Sequence, residues 1–217
     1  MAELAQAIPC VLVALLYASA GIASEGTSPE VDAVESVRLV KEAQDMKSSP
    51  ITDFDEESEP WRTINDGVMG GLSSSSFAVE EGVARFEGTV SLENNGGFAS
   101  VRSRPQDHDL SPFRGILLRV RGDGKRYAFR LRTSSAFDGV SYQVFFKTVP
   151  DQWITVLIPF EAFQPVFRGR LVRGAEPLDL KYVKTFGFLI SDKQAGPFRL
   201  EVDWIKAYPV AQEGNVR

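Results

Sequence analysis

Few residues in this chain could carry out acid–base or nucleophilic chemistry. The sequence holds one histidine, His108, and one cysteine, Cys10. His108 lies between two aspartates in a polar loop, which is typical of a solvated residue, and no Gly-x-Ser-x-Gly nucleophile elbow accompanies it. Carboxylates are plentiful, yet their spacing does not single out a catalytic pair. We therefore expect a protein that is not an enzyme.

Metal and cofactor chemistry is equally sparse. One cysteine allows neither an intramolecular disulfide nor a thiolate zinc cluster. Two glycine-rich loops, 65–71 and 93–98, offer oxygen atoms that a hard cation such as calcium would accept, but they lack the spacing of a known calcium loop. Neither loop continues into the Gly-Lys-Ser/Thr of a phosphate loop. The sequence predicts no metal and no cofactor.

The elements that hold these loops are predicted to be strands. From Trp61 onward, apolar and polar residues alternate with a period of two, and turn signals recur every eight to twelve residues. The alternation is clearest over residues 115–133, and similar alternation covers residues 141–147, 153–160, 185–191 and 198–205. Because the chain after residue 50 keeps no helical period over three turns, we expect an all-β sandwich or barrel.

Residues 115–133 are predicted to form a hairpin around a Gly-Asp-Gly turn, with one apolar and one basic face. The basic face would carry Arg119, Arg121, Arg130 and Arg132. Like charges on paired strands repel, so this face requires acidic neighbours or an anionic partner. Two alternatives remain open: internal pairing with the acids of residues 199–203, or an acidic protein or glycan partner.

The chain divides into three parts by composition. Residues 1–23 form an apolar leader that resembles a signal peptide or membrane anchor but lacks its basic start, so we expect export or membrane association, with a mitochondrial or other organelle as the alternative. Residues 24–50 form an acidic linker with a possible helix over 31–46. Of the net charge of −5, the first 50 residues hold −4 (3 basic, 7 acidic). The near-neutral domain at 51–217 is not typical of a nucleic-acid binder.

Several motifs together resemble the complex I intermediate-associated protein 30 family. They include Asn-Asp-Gly-Val-Met-Gly-Gly at 65–71, Glu-Asn-Asn-Gly-Gly-Phe at 93–98 and Gly-Phe-Leu-Ile-Ser-Asp-Lys-Gln at 187–194, in that order. The resemblance covers nearly all of residues 51–217. It implies a galactose-binding-like β-sandwich of jelly-roll type, and a protein that assists assembly of a respiratory complex through protein contacts.

The resemblance and the lack of a catalytic group lead to one functional hypothesis. We expect a non-catalytic binding module that acts as an assembly factor or chaperone-like partner for subunits of a membrane or redox complex. The alternative is a carbohydrate-binding module of an exported protein, in which Trp61 or Trp153 would form an aromatic platform near Asn94, Asn95 and Asp66. The predicted interaction surface combines both loops and the 191–194 turn, with the basic face as an electrostatic contribution. Its candidate residues are Trp61, Asn65, Asp66, Met69, Gly70, Gly71, Asn94, Asn95, Gly96, Gly97, Asp192 and Lys193.

Overall fold

The computed structural model describes residues 48–55 and 61–209, except the side chains of residues 68 and 69. This part of the chain consists of strands and four 3₁₀ helices, at Asp66–Met69, Glu93–Asn95, Phe160–Ala162 and Leu180–Tyr182. The apolar leader, most of the linker and the helix expected over 31–46 lie outside the described residues. Among the helices described, none is long and apolar enough to cross a bilayer.

Thirteen strands are described, and the fold is an all-β sandwich of two antiparallel sheets. In chain order they are β1 (Ser49–Thr52), β2 (Arg62–Asn65), β3 (Ser74–Glu80), β4 (Val83–Val90), β5 (Ala99–Arg102), β6 (Phe113–Gly122), β7 (Arg126–Arg132), β8 (Ser141–Lys147), β9 (Trp153–Pro159), β10 (Gln164–Phe167), β11 (Arg170–Leu171), β12 (Thr185–Ile190) and β13 (Gly196–Pro209). The first sheet has the order β3-β4-β13-β6-β9, with β1 also paired to β13. The second has the order β11-β10-β8-β7-β12-β5-β2. The predicted fold class is confirmed.

Strand β13 lies at the centre of the first sheet. Its first half pairs with β4, its second half pairs with β1, and β6 runs along its other side. The register with β6 shifts between Val202 and Trp204, which is where β13 exchanges β4 for β1. An extra residue at such a bulge bends the strand and re-aims its side chains.

Aromatic side chains fill the space between the sheets. Phe86 of β4 meets Phe198 of β13 edge-on at 4.9 Å, and Phe129 of β7 lies 5.3 Å from Phe188 of β12. Each of these rings is almost completely buried. Burial of a large apolar side chain contributes about 1.5–3 kcal/mol, so this aromatic layer is a main source of stability. Most of the phenylalanine side chains described lie in the core or pack against it.

The predicted hairpin at 115–133 is wrong. Strand β6 pairs with β13 and β9 in the first sheet, whereas β7 pairs with β12 and β8 in the second. Both strands have the apolar alternation expected of a hairpin, because each turns one face to the core from its own side. In the connection, Gly124 has a positive φ of 86° but Asp123 does not, so the two-residue hairpin turn is absent. The carboxylate of Asp123 instead accepts hydrogen bonds from the Tyr127 hydroxyl and the Arg199 amide.

Candidate functional site

The carboxylate of Asp66 joins the two glycine-rich loops. Asp66 is fully buried. Its Oδ1 accepts a 2.9 Å hydrogen bond from the Ser73 amide, and its Oδ2 accepts one of 2.5 Å from the Ser73 hydroxyl. Oδ2 also accepts from the amides of Gly97, at 2.7 Å, and Phe98, at 3.2 Å. The loop before β3 and the loop before β5 are therefore held as one unit.

Two glycines leave the space that the Asp66 carboxylate occupies. A Cβ on Gly71 would stand 2.4 Å from Oδ1 of Asp66, and a Cβ on Gly96 would stand 2.7 Å from Oδ2. Real Cβ atoms do not approach other atoms so closely, so either side chain would displace the carboxylate. Gly71 and Gly96, two of the glycines predicted as binding residues, therefore allow the loops to pack around Asp66.

The hydrogen bonds at Asp66 also set its charge state. Burial alone would raise the pKa of the carboxyl, but the bonds from the Ser73 hydroxyl and from the amides of Gly97, Phe98 and Ser73 outweigh that effect and lower the pKa below its ordinary value. Asp66 is therefore an anion at neutral pH with its oxygens already engaged. From this buried position it holds together the two loops of the predicted interaction surface.

Around this buried centre, the loops present apolar and amide side chains to solvent. Leu72 is 57% exposed and Leu92 is 44% exposed. They neighbour Ser73 and Ser91, which are joined by a 3.0 Å hydrogen bond from the Ser91 amide to the Ser73 hydroxyl. Asn94 and Asn95 are exposed and hold left-handed φ angles of 53° and 58°. Asn65 is half-buried and accepts from the Ser75 hydroxyl at 2.7 Å. The side chain of Met69 is not described.

The predicted turn at 191–194 lies at the same end of the sandwich. Ala99, which follows the second glycine-rich loop, is paired with Ile190, which precedes this turn. Asp192 and Lys193 are exposed and have positive φ angles, and Asp192 forms a 2.9 Å ion pair with Arg126. The Gln194 amide exchanges two hydrogen bonds with the Arg126 backbone. We call this end, formed by residues 66–73, 91–98 and 191–195, the loop end.

The two tryptophans considered as sugar platforms are not at the predicted place. Trp61 precedes β2 whereas Asp66 follows it, so the length of the strand, roughly 15 Å, separates them. Its ring stacks on Phe77 at 5.4 Å and on Phe188 at 5.8 Å. Trp153 starts β9, three strands from β4 in the first sheet, and contacts Arg121 at 4.9 Å. Neither ring forms a platform beside Asn94 and Asn95.

The predicted basic face is divided between the two sheets, because β6 and β7 are not paired. On the first sheet, Arg119 forms a 3.4 Å ion pair with Asp203, and Arg121 is hydrogen-bonded to Glu201. Internal pairing with the acids of residues 199–203 is therefore confirmed for these two arginines. Arg130 and Arg132 lie on the second sheet, where Arg130 donates two hydrogen bonds to Oε1 of Gln143.

His108 has a structural position and is less solvated than expected. It is half-buried, its amide donates to the Val183 carbonyl at 2.9 Å, and its ring meets Phe186 edge-on at 4.8 Å. Burial lowers the pKa of the imidazole, against the opposing effect of Asp107. Within 48–55 and 61–209, no three His, Cys, Asp or Glu side chains are placed to hold a metal ion.

The sequence of this chain matches a known protein family over most of the described residues. The family model of complex I intermediate-associated protein 30 matches residues 51–202, a range that contains both glycine-rich loops and the 191–194 turn. The chain belongs to the complex I intermediate-associated protein 30 family.

Two similar proteins come from a yeast and from a mouse. An uncharacterised protein of Schizosaccharomyces pombe is 31% identical over 174 residues, covering 70% of this chain and 78% of the yeast protein. The mitochondrial complex I intermediate-associated protein 30 of Mus musculus is 31% identical over 175 residues, covering 70% of this chain and 53% of the mouse protein. The match thus spans about half the length of the mouse relative.

A similar fold occurs in a protein of another kind. A family 11 carbohydrate-binding module of a cellulosomal cellulase of Clostridium thermocellum superposes with a TM-score of 0.60 at 18% identity, covering 76% of this chain and 96% of the module. At that identity the likeness concerns the fold alone.

Two features of this family member were not predicted from the sequence. Leu72 and Leu92 are exposed apolar residues at the loop end. Each is a leucine in a turn segment outside the alternating strands, and this position could have indicated their exposure. Arg102 lies close to Arg130 and Arg132 on the second sheet, and the sequence around Arg102 does not indicate this proximity. That neighbour is brought close by strand order, which the local pattern does not contain.

Proposed function

We propose that this protein is a non-catalytic assembly factor whose loop end binds a protein subunit of a membrane-bound respiratory complex of the complex I type. The observation that supports this most is the family membership, since the mouse relative carries the name complex I intermediate-associated protein. A protein with this role needs a stable surface for another protein, and it needs no catalytic group.

The loop end has the properties of such a surface. The buried Asp66 carboxylate holds the two loops in one arrangement, so little conformational entropy is lost when a partner binds. Leu72 and Leu92 supply apolar area, and Asn94 and Asn95 supply amide groups at the rim. Apolar residues surrounded by polar groups are typical of protein interfaces.

We further propose a chaperone-like mode of action in a mitochondrion. The protein would hold an unassembled subunit by this apolar surface and release it once the subunit's own neighbours cover the same area. The mouse relative's name includes the word mitochondrial, and this supports the organelle over the exported location expected from the leader. Cell fractionation of the tagged full-length chain tests the location, with recovery outside mitochondria as the contradicting result.

The binding surface is tested by crosslinking and affinity purification from the native cell with the full chain. The double variant Leu72→Ser, Leu92→Ser should recover several-fold less of the partner subunit than the unaltered protein. Leu171→Ser is the matched control, because Leu171 is also 57% exposed but lies on edge strand β11. Recovery of no respiratory or membrane-complex subunit by the unaltered protein would overturn the assembly role. Equal recovery of the partner subunit by both variants would show that the interface lies outside the loop end.

A further inference from the structure

Three arginines lie together on the outer face of the second sheet. Arg102 of β5 and Arg130 of β7 are both paired in register with Gly187 of β12, so that only a glycine separates them across the sheet. Arg132 is paired with Thr185 on the same face. Because Gly187 has no side chain, a small recess remains between the arginines. We call this recess, together with the wider groove beside it, the arginine cleft.

These guanidinium groups are held in place by neutral oxygens. Arg102 donates to the Phe137 carbonyl at 3.0 Å, and Arg132 donates to the Gly139 carbonyl at 2.9 Å. Arg130 donates Nε and Nη2 to Oε1 of Gln143. Each group thus keeps N–H donors that have no acceptor among the described residues.

No carboxylate within the described ranges forms an ion pair with these three arginines. The nearby acid is Asp138, whose charge acts on Arg102 and Arg132, but its carboxylate is bound to Arg168 at 2.6 Å. This differs from the first sheet, where Arg119 and Arg121 have acidic partners. The second sheet therefore carries three neighbouring positive charges without a matching anion.

Such an arrangement is electrostatically unfavourable by itself. Burial, together with repulsion from Arg132 and Arg102, lowers the pKa of Arg130 to about 10. Burial and repulsion from Arg102 lower the pKa of Arg132 to about 10 as well. Both groups remain protonated at neutral pH, so a bound anion would relieve the repulsion.

The recess lies next to a groove of about 570 Å³. Arg102 and Thr185 line both spaces. Beyond them the groove is bordered by Trp61, Ile64 and Phe137, and the Phe137 ring is 61% exposed. Small-molecule sites typically measure roughly 300–1,000 Å³ and combine apolar walls with a few fixed polar groups.

We propose that the arginine cleft binds a small soluble organic phosphate. The phosphate group lies over Arg102, Arg130 and Arg132, and the planar or apolar part of the ligand lies against Trp61, Ile64 and Phe137. Guanidinium groups recognise phosphate through paired, charge-assisted hydrogen bonds, and three of them favour a ligand with at least two negative charges. The site is separate from the loop end and does not depend on the assembly role.

Calorimetric titration of the folded protein with pyrophosphate, ADP and adenosine tests this assignment. Saturable binding is expected for pyrophosphate and ADP, with ADP the tighter, and none for adenosine. Arg132→Gln and Arg102→Gln should each weaken binding about tenfold or more, since a charge-assisted hydrogen bond contributes about 1.5–3 kcal/mol. Phe137→Ser should weaken ADP more than pyrophosphate. Arg170→Gln is the matched control, because Arg170 is an exposed arginine on the same sheet.

Thermal unfolding of the same variants separates a binding role from a structural one. If the cleft is built for an anion, removal of one charge relieves repulsion, and Arg132→Gln unfolds at the same or a higher temperature than the unaltered protein. Absence of saturable binding by pyrophosphate and ADP, or equal weakening by Arg132→Gln and Arg170→Gln, would overturn the proposal. Binding only to vesicles that contain phosphatidate, with dependence on Arg132, would also overturn it and assign the cleft to a lipid headgroup.

Discussion

Oδ2 of Asp66 accepts a 2.7 Å hydrogen bond from the Gly97 amide, across 31 residues of sequence. This contact and the neighbouring bond from Phe98 join a loop that leaves the second sheet to a loop that enters it. The two glycine-rich motifs, which are far apart in the chain, therefore belong to one structural unit, and this unit allows several direct tests.

Replacement of Asp66 by alanine is expected to lower the free energy of unfolding by about 3 kcal/mol or more, because three backbone amides and the Ser73 hydroxyl lose their acceptor in a buried site. Urea denaturation measures this change. The control is Asp53→Ala, since Asp53 is exposed; its effect should stay within about 0.5 kcal/mol. Equal small effects would show that the loops are held by other contacts.

Acid should destabilise the protein partly through Asp66. The folded-state pKa of Asp66 is depressed, so its contribution to stability is complete above the unfolded value of about 3.9 and is lost as the pH falls through the folded value. Asp66→Asn should therefore be less stable at neutral pH and show a shallower loss of stability below about pH 4. Denaturation midpoints measured from pH 7 to pH 2 test this. Parallel curves for the two proteins would contradict the assignment.

The glycine next to the carboxylate should tolerate no side chain. Gly71→Ala places a Cβ 2.4 Å from Oδ1 of Asp66, and we expect a loss of about 2 kcal/mol or more from displaced hydrogen bonds. Gly67→Ala is the matched control, since an added Cβ there meets no atom within 4 Å. Chemical denaturation of both variants provides the comparison. A result in which Gly67→Ala is the more harmful change would reject this packing.

Two acids on β13 should differ in importance. Glu201 is 3% exposed and lies beside both Arg85 and Arg121, whereas the Asp203 side chain is 40% exposed and pairs with Arg119. We expect Glu201→Gln to cost about 1–2 kcal/mol, with Asp203→Asn below about 1 kcal/mol. Added salt should change the second effect more than the first, because exposed pairs are screened. Thermal unfolding in low and high salt measures both.

The strands could be predicted from the sequence because alternation is local. Residues 141–147 were expected as a strand and form β8 with the same limits. The partner of each strand was not predictable in the same way. The Gly-Asp-Gly segment at 122–124 favours a hairpin by its composition, yet β6 and β7 enter different sheets. Which sheet a strand joins depends on long-range packing, and the apolar alternation is the same in either case.

The candidate site shows the same limit. The glycine-rich motifs were recognisable, and the structure brings both to one end of the sandwich. The role of Asp66 could not be recognised, because the residue type does not show whether an aspartate is a buried hydrogen-bond acceptor or an exposed binding residue. Burial of Asp66 depends on Ser73, Gly97 and Phe98, and their proximity exists only after the sheets have paired.

The central position of β13 has a consequence for synthesis of the chain. This strand is the last one described, yet it pairs with β1, β4 and β6, which come first or early. A nascent chain that has not yet released residues 196–209 lacks the middle of its first sheet. Pairing between distant segments also slows folding. The first sheet can therefore be completed only after translation has passed residue 209, and until then the strands that pair with β13 have open edges.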